Sequence, residues 1–436
     1  MHVLRAEHPL ARAAAVLVCV LAAVPGLAVA GCAGSGAAPA YPLLQETGPA
    51  AVQEETGPAA VQISQFRWSD LPASPLGPRS QPLLAWAGGK LLELGGVKKG
   101  TAARDGASFD PATGRWYRLA STAPRNVRFQ NAVSVWTGRQ LFVASGQPGW
   151  RPAVRGGGGT PPGCRPGAGL YDPAADRWSV TRLPGQLDGL GPAAAAWDGH
   201  DVILAAVDPY HGRLGVAAYD PAAGRWQVIT PVLPAGHAPR SVAMAVTAGR
   251  LVLWSLWDRM TASGDGFGSY SGVDVLTLRP DGAWRDVTGG WPQNQEVRSP
   301  VFAGTAILVS PGGMWCGIRC SPPHTENPGY FADPATLARK IIPAGPLGPV
   351  NPAFIWTGRA IIAIDPGASF SGPGQRPIRP GDMALWDPAA SRWLRLPAPP
   401  GLPGTGCEPG LAAAPLWTGT ELLALIDTGK LHALHG

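Results

Sequence analysis

The chain is poor in charge, in lysine and in cysteine. Only 15% of its 436 residues are Asp, Glu, Lys or Arg, five are Lys, and the formal net charge is +6. No run of Lys and Arg occurs, which argues against a nucleic-acid partner, and the basic pI follows from an arginine bias. The short signatures of common enzymes are missing too: there is no serine nucleophile elbow, no phosphate loop and no His-Glu metal helix. What the chain has in quantity is Gly (59) and Pro (48), set between short apolar runs. That composition fits one large all-β domain with many turns.

A phrase recurs along the chain. Phe109-Asp110-Pro111-Ala112 leads to Arg115-Trp116, Tyr171-Asp172-Pro173-Ala174 to Arg177-Trp178, Tyr219-Asp220-Pro221-Ala222 to Arg225-Trp226, and Trp386-Asp387-Pro388-Ala389 to Arg392-Trp393. Asp folds its carboxylate onto amides two residues ahead and Pro presets the first corner, so each copy predicts strand, tight turn, strand. A second phrase precedes each copy: Trp86-Ala87-Gly88, Trp136-Thr137-Gly138, Trp197-Asp198-Gly199, Trp356-Thr357-Gly358 and Trp417-Thr418-Gly419. There Gly supplies the positive φ of another hairpin. Each unit therefore predicts four strands.

Degenerate copies at Thr247 and Phe302 bring the units to seven, a number and length that predict a seven-bladed β-propeller over 63–436. The last unit stops at Gly436 after about three strands. Its missing outer strand is supplied by Arg67-Trp68-Ser69-Asp70-Leu71-Pro72, which matches Arg392-Trp393-Leu394-Arg395-Leu396-Pro397, so the ring is expected to close through its N-terminal strand.

These repeats resemble those of kelch β-propellers, which pair an aromatic-Asp-Pro turn with a downstream Trp. The kelch diglycine is kept at Gly95-Gly96 and shifted at Gly312-Gly313. The resemblance implies a domain that binds proteins or other ligands. A minority of such domains resemble galactose oxidase and carry copper.

The first 31 residues are expected to be a lipoprotein signal peptide. Arg5 and Arg12 precede an apolar run from Ala13 to Ala30, and Val29-Ala30-Gly31-Cys32 matches a lipobox that would lipidate Cys32. Residues 32–62, with the duplicated Glu-Thr-Gly-Pro-Ala-Ala-Val-Gln, are expected to be a low-complexity tether. The propeller would then sit outside the cytoplasmic membrane, anchored by its lipid or else secreted. An oxidising compartment makes Cys164, Cys316, Cys320 and Cys407 disulfide candidates, with three pairings open.

In a propeller the links between second and third strands, and those between blades, emerge on one face. The long links (147–169, 258–272, 310–329, 365–381 and 398–410) are all of this kind, so function is expected on that face. Its candidate ligand-binding residues are Arg79, Arg128 and Arg240 near the starts of inner strands, the aromatics Trp150, Trp291, Trp315 and Tyr210, and the further ring residues Tyr270 and Phe370. The expected activity is binding of a protein or glycan without catalysis, cofactor or nucleic acid. The alternative is an extracellular copper oxidase resembling galactose oxidase, with Tyr210 and His211 as metal ligands.

Overall fold

A computed structural model describes residues 66–146, 166–247, 250–263, 266–278, 282–288, 297–303, 306–311, 329–332, 338–343, 346–347, 353–364, 381–402, 411 and 415–435. The fold is an all-β β-propeller, and among the described residues the helical content is one 3-10 turn, Gly185–Leu187.

Among the described residues the strands form seven four-stranded antiparallel sheets and one short two-stranded ribbon, Val97–Lys98 with Thr101–Ala102. The first holds Leu83–Ala87, Lys90–Leu94, Gly106–Asp110 and Arg115–Arg118; the second Val133–Trp136, Leu141–Ser145, Gly167–Asp172 and Arg177–Thr181. The third holds Gly191–Trp197, Val202–Asp208, Arg213–Asp220 and Arg225–Val228; the fourth Pro239–Thr247, Arg250–Ser263, Gly266–Leu278 and Trp284–Asp286. The fifth runs from Val297–Ala303 to Arg339–Ile342 and the sixth from Ala353–Trp356 to Arg392–Leu396. In the seventh, Leu416–Trp417, Leu422–Leu425 and Leu431–His435 are completed by the N-terminal strand Arg67–Leu71, in the register Arg67↔His435 to Leu71↔Leu431. The innermost strands neighbour one another in sequence order, and Leu416–Trp417 returns to Leu83–Ala87.

The repeated phrases do the local work expected of them. Each Asp-Pro aspartate accepts from the amide two residues on: Asp110 from Ala112 at 3.0 Å, Asp172 from Ala174 at 3.0 Å, Asp220 from Ala222 at 2.8 Å and Asp387 from Ala389 at 3.0 Å. The aromatic before the turn then meets the Trp after it across the hairpin, with centroids 5.3 Å apart for Phe109 and Trp116 and 4.8 Å for Tyr219 and Trp226. Gly138 and Gly199 hold φ of 86° and 101°, as the other hairpin turn requires.

The outer tryptophans also join sheets. Trp116 Nε1 donates to Pro72 O at the end of the seventh sheet's outer strand (2.7 Å), Trp226 Nε1 to Thr181 Oγ1 of the second (2.9 Å), and Trp284 Nε1 to Ile229 O beyond the third. Trp393 Nε1 reaches Pro343 O after the fifth sheet and Trp68 Nε1 reaches Pro397 O after the sixth, both at 2.8 Å. Every one of these bonds points back to the preceding sheet. Apolar faces fill the space between the sheets; one such core joins Phe142, Leu170 and Val133 of the second to Leu204, Ala217 and Tyr219 of the third.

One expected loop is a hairpin instead. Residues 258–272, read as a long link, continue the fourth sheet's central strands, paired from Trp257↔Gly272 to Ser263↔Gly266. The Thr, Phe and Tyr in this stretch are strand formers, and its many Ser and Gly residues hid the pattern.

Candidate functional site

At the mouth of the first sheet the expected ligand arginine is consumed by the fold. Arg79 is only 4% exposed. Its Nη1 donates to Gly95 O (2.6 Å) and Asp105 Oδ1 (2.9 Å), its Nη2 donates to Leu76 O (2.8 Å), and its Nε lies 3.5 Å from the fully buried Glu93. Both terminal nitrogens of the guanidinium are thus taken by the fold, and Nε, which makes no hydrogen bond, is buried out of a ligand's reach. Burial raises the Glu93 carboxyl above its usual range, against the Ser74 hydroxyl bonded to it and the Arg79 charge. Asp105 goes the other way: burial pushes it up, but the Arg79 hydrogen bond and charge outweigh this and hold it low. The segment carrying Arg79 is also tied to the seventh sheet, through Ser74 N to Gly429 O (2.8 Å) and Arg79 N to Asp427 O (3.0 Å).

The third and fourth sheets present a different mouth. Asp208 ends the third sheet's second strand and caps the turn Asp208-Pro209-Tyr210-His211, its Oδ1 accepting from Tyr210 N (3.1 Å) and its Oδ2 facing His211 Nδ1 (2.6 Å). The carboxylate is 3% exposed and the imidazole 44%, while Tyr210 is 71% exposed. In the loop entering the fourth sheet, His237 Nδ1 lies 2.9 and 3.1 Å from the two oxygens of Asp274, which is nearly fully buried. Burial raises the Asp274 carboxyl, with the His237 hydrogen bond opposing. The His237 ring stacks on Trp257, centroids 3.9 Å apart at 20°. Trp257 can lie flat because its cross-strand partner is Gly272, where a Cβ would come within 2.2 Å of the indole.

Both histidines are thus held alike. A carboxylate at Nδ1 favours the Nδ1–H tautomer, which makes Nε2 the acceptor nitrogen of each ring. The two supports touch: a Cβ on Gly212, beside His211, would meet the Ala238 Cβ, beside His237, at 2.7 Å. Ser255, paired across the strands with Asp274, buries a hydroxyl with no hydrogen-bond partner.

Of the other expected residues, Arg240 is exposed at the start of the fourth sheet's inner strand, Pro239–Thr247, and Arg128 is exposed in the link that leads to the second's, Val133–Trp136. Arg128 is placed by its amide, which donates to Ser145 Oγ (2.9 Å). Tyr270 lies in the fourth sheet's third strand. Trp150, Trp291, Trp315, Phe370, Cys32, Cys164, Cys316, Cys320 and Cys407 lie outside the described residues. Sequence reading missed the roles of Asp208 and Asp274. Asp208-Pro209 repeats the Asp-Pro turn chemistry and was legible, whereas Asp274 is 37 residues from its histidine.

No family model matches the chain. Over 81 residues it is 31% identical to an N-acetylneuraminate epimerase of Pasteurella multocida (strain Pm70), a match covering 17% of this chain and 21% of the relative. The chain therefore spans about a fifth of the length of that relative. Among solved structures it is similar to a chain of the Mitotic Checkpoint Complex, with TM-score 0.50, 14% identity, and coverage of 89% of this chain and 99% of that one. It also resembles YCF48 bound to D1 peptide (TM-score 0.48, 11% identity, 87% and 100% covered). Virginiamycin B lyase from Staphylococcus aureus is similar at TM-score 0.47 and 10% identity, with 85% and 100% covered. At such identities the likeness shows the β-propeller fold alone.

Proposed function

We propose that the chain is a kelch-type propeller, its seven sheets the seven blades of one ring, that binds a glycan carrying an anionic group through its long-link face without chemistry. The observation behind this reading is that Arg128, Tyr210, His211, His237 and Arg240 come from three successive sheets and belong to the same face. Guanidinium donors beside exposed aromatic surface suit an acidic sugar, with the imidazole Nε2 atoms placed to accept from its hydroxyls. The short match to an enzyme named for N-acetylneuraminate agrees with that class. In this reading Cys32 carries a lipid, residues 32–62 tether the propeller outside the membrane, and the four later cysteines cross-link links on the binding face.

Calorimetric titration with sialyllactose, with neutral lactose as control, tests the reading. Sialyllactose should bind and lactose should not, and a variant combining His237→Ala with Arg240→Ala should lose at least tenfold in affinity, about 1.4 kcal/mol. Equal binding of both sugars, or no change in the variant, overturns it. The second reading, a copper oxidase resembling galactose oxidase with Tyr210 and His211 as ligands, is favoured by one observation, the carboxylate at Nδ1 of each histidine, an arrangement also found behind metal-ligating imidazoles. Stoichiometric copper after reconstitution, with peroxide formed from alcohols, would replace the first reading by the second.

A further inference from the structure

Where the strand Arg67–Leu71 pairs with Leu431–His435, the seventh sheet brings together a hydroxyl, an imidazole and a carboxylate. Ser69 Oγ is 2.8 Å from His435 Nε2, and His435 Nδ1 is 3.3 Å from Glu421 Oε2. The negative charge of Glu421 beside Nδ1 favours a proton there by electrostatics rather than through a hydrogen bond, so Nε2 accepts from the Ser69 hydroxyl, the polarity a base needs. Register explains the alignment. Arg67↔His435 and Ser69↔Ala433 put Arg67, Ser69 and His435 on one face of the sheet. Leu422↔Leu434 puts Glu421 opposite His435 on that same face. Further along, the face carries Leu71, Leu431 and Ala433 into the core shared with Leu91 and Phe109 of the first sheet.

The repeat does not impose this set. The corresponding positions of the first sheet are Lys90, Asp110 and Tyr117, where the lysine pairs with the aspartate at 3.7 Å and lies over the tyrosine ring. At the seventh sheet all three residues have changed together, and the geometry points to a second, catalytic site: a serine esterase centre for short-chain carboxylic esters, with Ser69 as nucleophile and His435 as base. Glu421 is the positioning residue, and Arg67, opposite His435, supplies positive charge for the oxyanion. Ser69 Oγ attacks the acyl carbon while its proton passes to His435 Nε2, and the carbonyl pair moves onto oxygen. Collapse of that oxyanion expels the alcohol oxygen, which takes the proton from Nε2 and leaves acyl-Ser69. Water, deprotonated by the same nitrogen, then attacks the acyl group, releasing the acid and restoring the Ser69 hydroxyl. With His435 54% exposed, the centre is open, which suits a small acyl group carried on a larger molecule.

The test is labelling of the full chain with a fluorophosphonate, the adduct located by peptide mass spectrometry, together with hydrolysis of p-nitrophenyl acetate. An adduct at Ser69 is expected in the folded protein and not in urea, because urea separates residues 366 positions apart. His435→Gln should slow labelling and hydrolysis on the order of 10²-fold with the unfolding midpoint kept. Glu421→Gln should lower kcat with KM unchanged. Were either variant to misfold, the comparison of folded wild type with wild type in urea still decides. Failure of Ser69 to label in the folded protein, or labelling that is unchanged by His435→Gln, overturns the proposal.

Discussion

Arg79 and Arg128 stand at nearly the same place in consecutive repeats, seven and eight residues before Trp86 and Trp136, yet their fates are opposite. The first is buried among carboxylates and carbonyls, and the second is exposed. The difference lies on the next strand. The first sheet places Glu93 beneath its arginine, where the second has Val143 in the equivalent position of the repeat. A buried acid draws the guanidinium inward because neither charge tolerates burial alone. Position in a repeat therefore locates a side chain, and its neighbour decides whether it serves the fold or a ligand.

The largest expected effect comes from breaking the buried cluster. Arg79→Ala should cost about 3–5 kcal/mol in urea unfolding because it strands Glu93, and adding Glu93→Leu should recover much of that loss. A cost below about 1 kcal/mol would erase the contrast between the two arginines.

A smaller, pH-dependent effect separates the carboxylates. Glu93 and Asp274 sit above their usual values, so the stability each adds is complete below its unfolded value and is lost as pH rises through its folded value. Asp176 is the reverse case: burial pushes it up, but hydrogen bonds from Ser121, Ala120 N and Tyr171 outweigh this and hold it low. Its contribution is present above the unfolded value and fades as pH falls through the folded one. Unfolding free energy measured against pH should thus lose, in Asp274→Asn, part of its fall with rising pH above the ordinary Asp range and, in Asp176→Asn, part of its fall with decreasing pH below that range. The Asp176 effect should stay within about 1 kcal/mol because solvent screens the group.

The smallest effect belongs to the exposed arginine. Arg128→Ala should change stability by less than about 0.5 kcal/mol, while weakening sialyllactose if the long-link face is the binding face. A large stability loss would place Arg128 with Arg79.

Much of the fold was legible because it rests on local chemistry. Asp110, Asp172, Asp220 and Asp387 each bond amides two residues away, and such turns can be read without knowing what lies across the molecule. The orphan Arg67-Trp68 was legible for a similar reason, since it lacked the Asp-Pro that should precede it. The sites were less legible because their partners are remote: His237 depends on Asp274, and Ser69 on a histidine at the far end of the chain. Arg79 had a readable warning in Glu93, an acid inside Leu91-Leu92-Glu93-Leu94. The hairpin over 258–272 was hidden because Ser and Gly broke up its alternation of apolar residues.

The indole bonds that point from each sheet to the one before it have a consequence in time. Trp68 and its strand are made well before their partners Leu431–His435, 366 residues earlier for Ser69 and His435. At ordinary rates of synthesis that interval is roughly 20–70 s. For all of it the earlier strand has nothing to pair with, and Trp116 has no settled Pro72 carbonyl to hold. The order of assembly is therefore not the order of synthesis, and the seam between Arg67–Leu71 and Leu431–His435 waits for the later of its two strands.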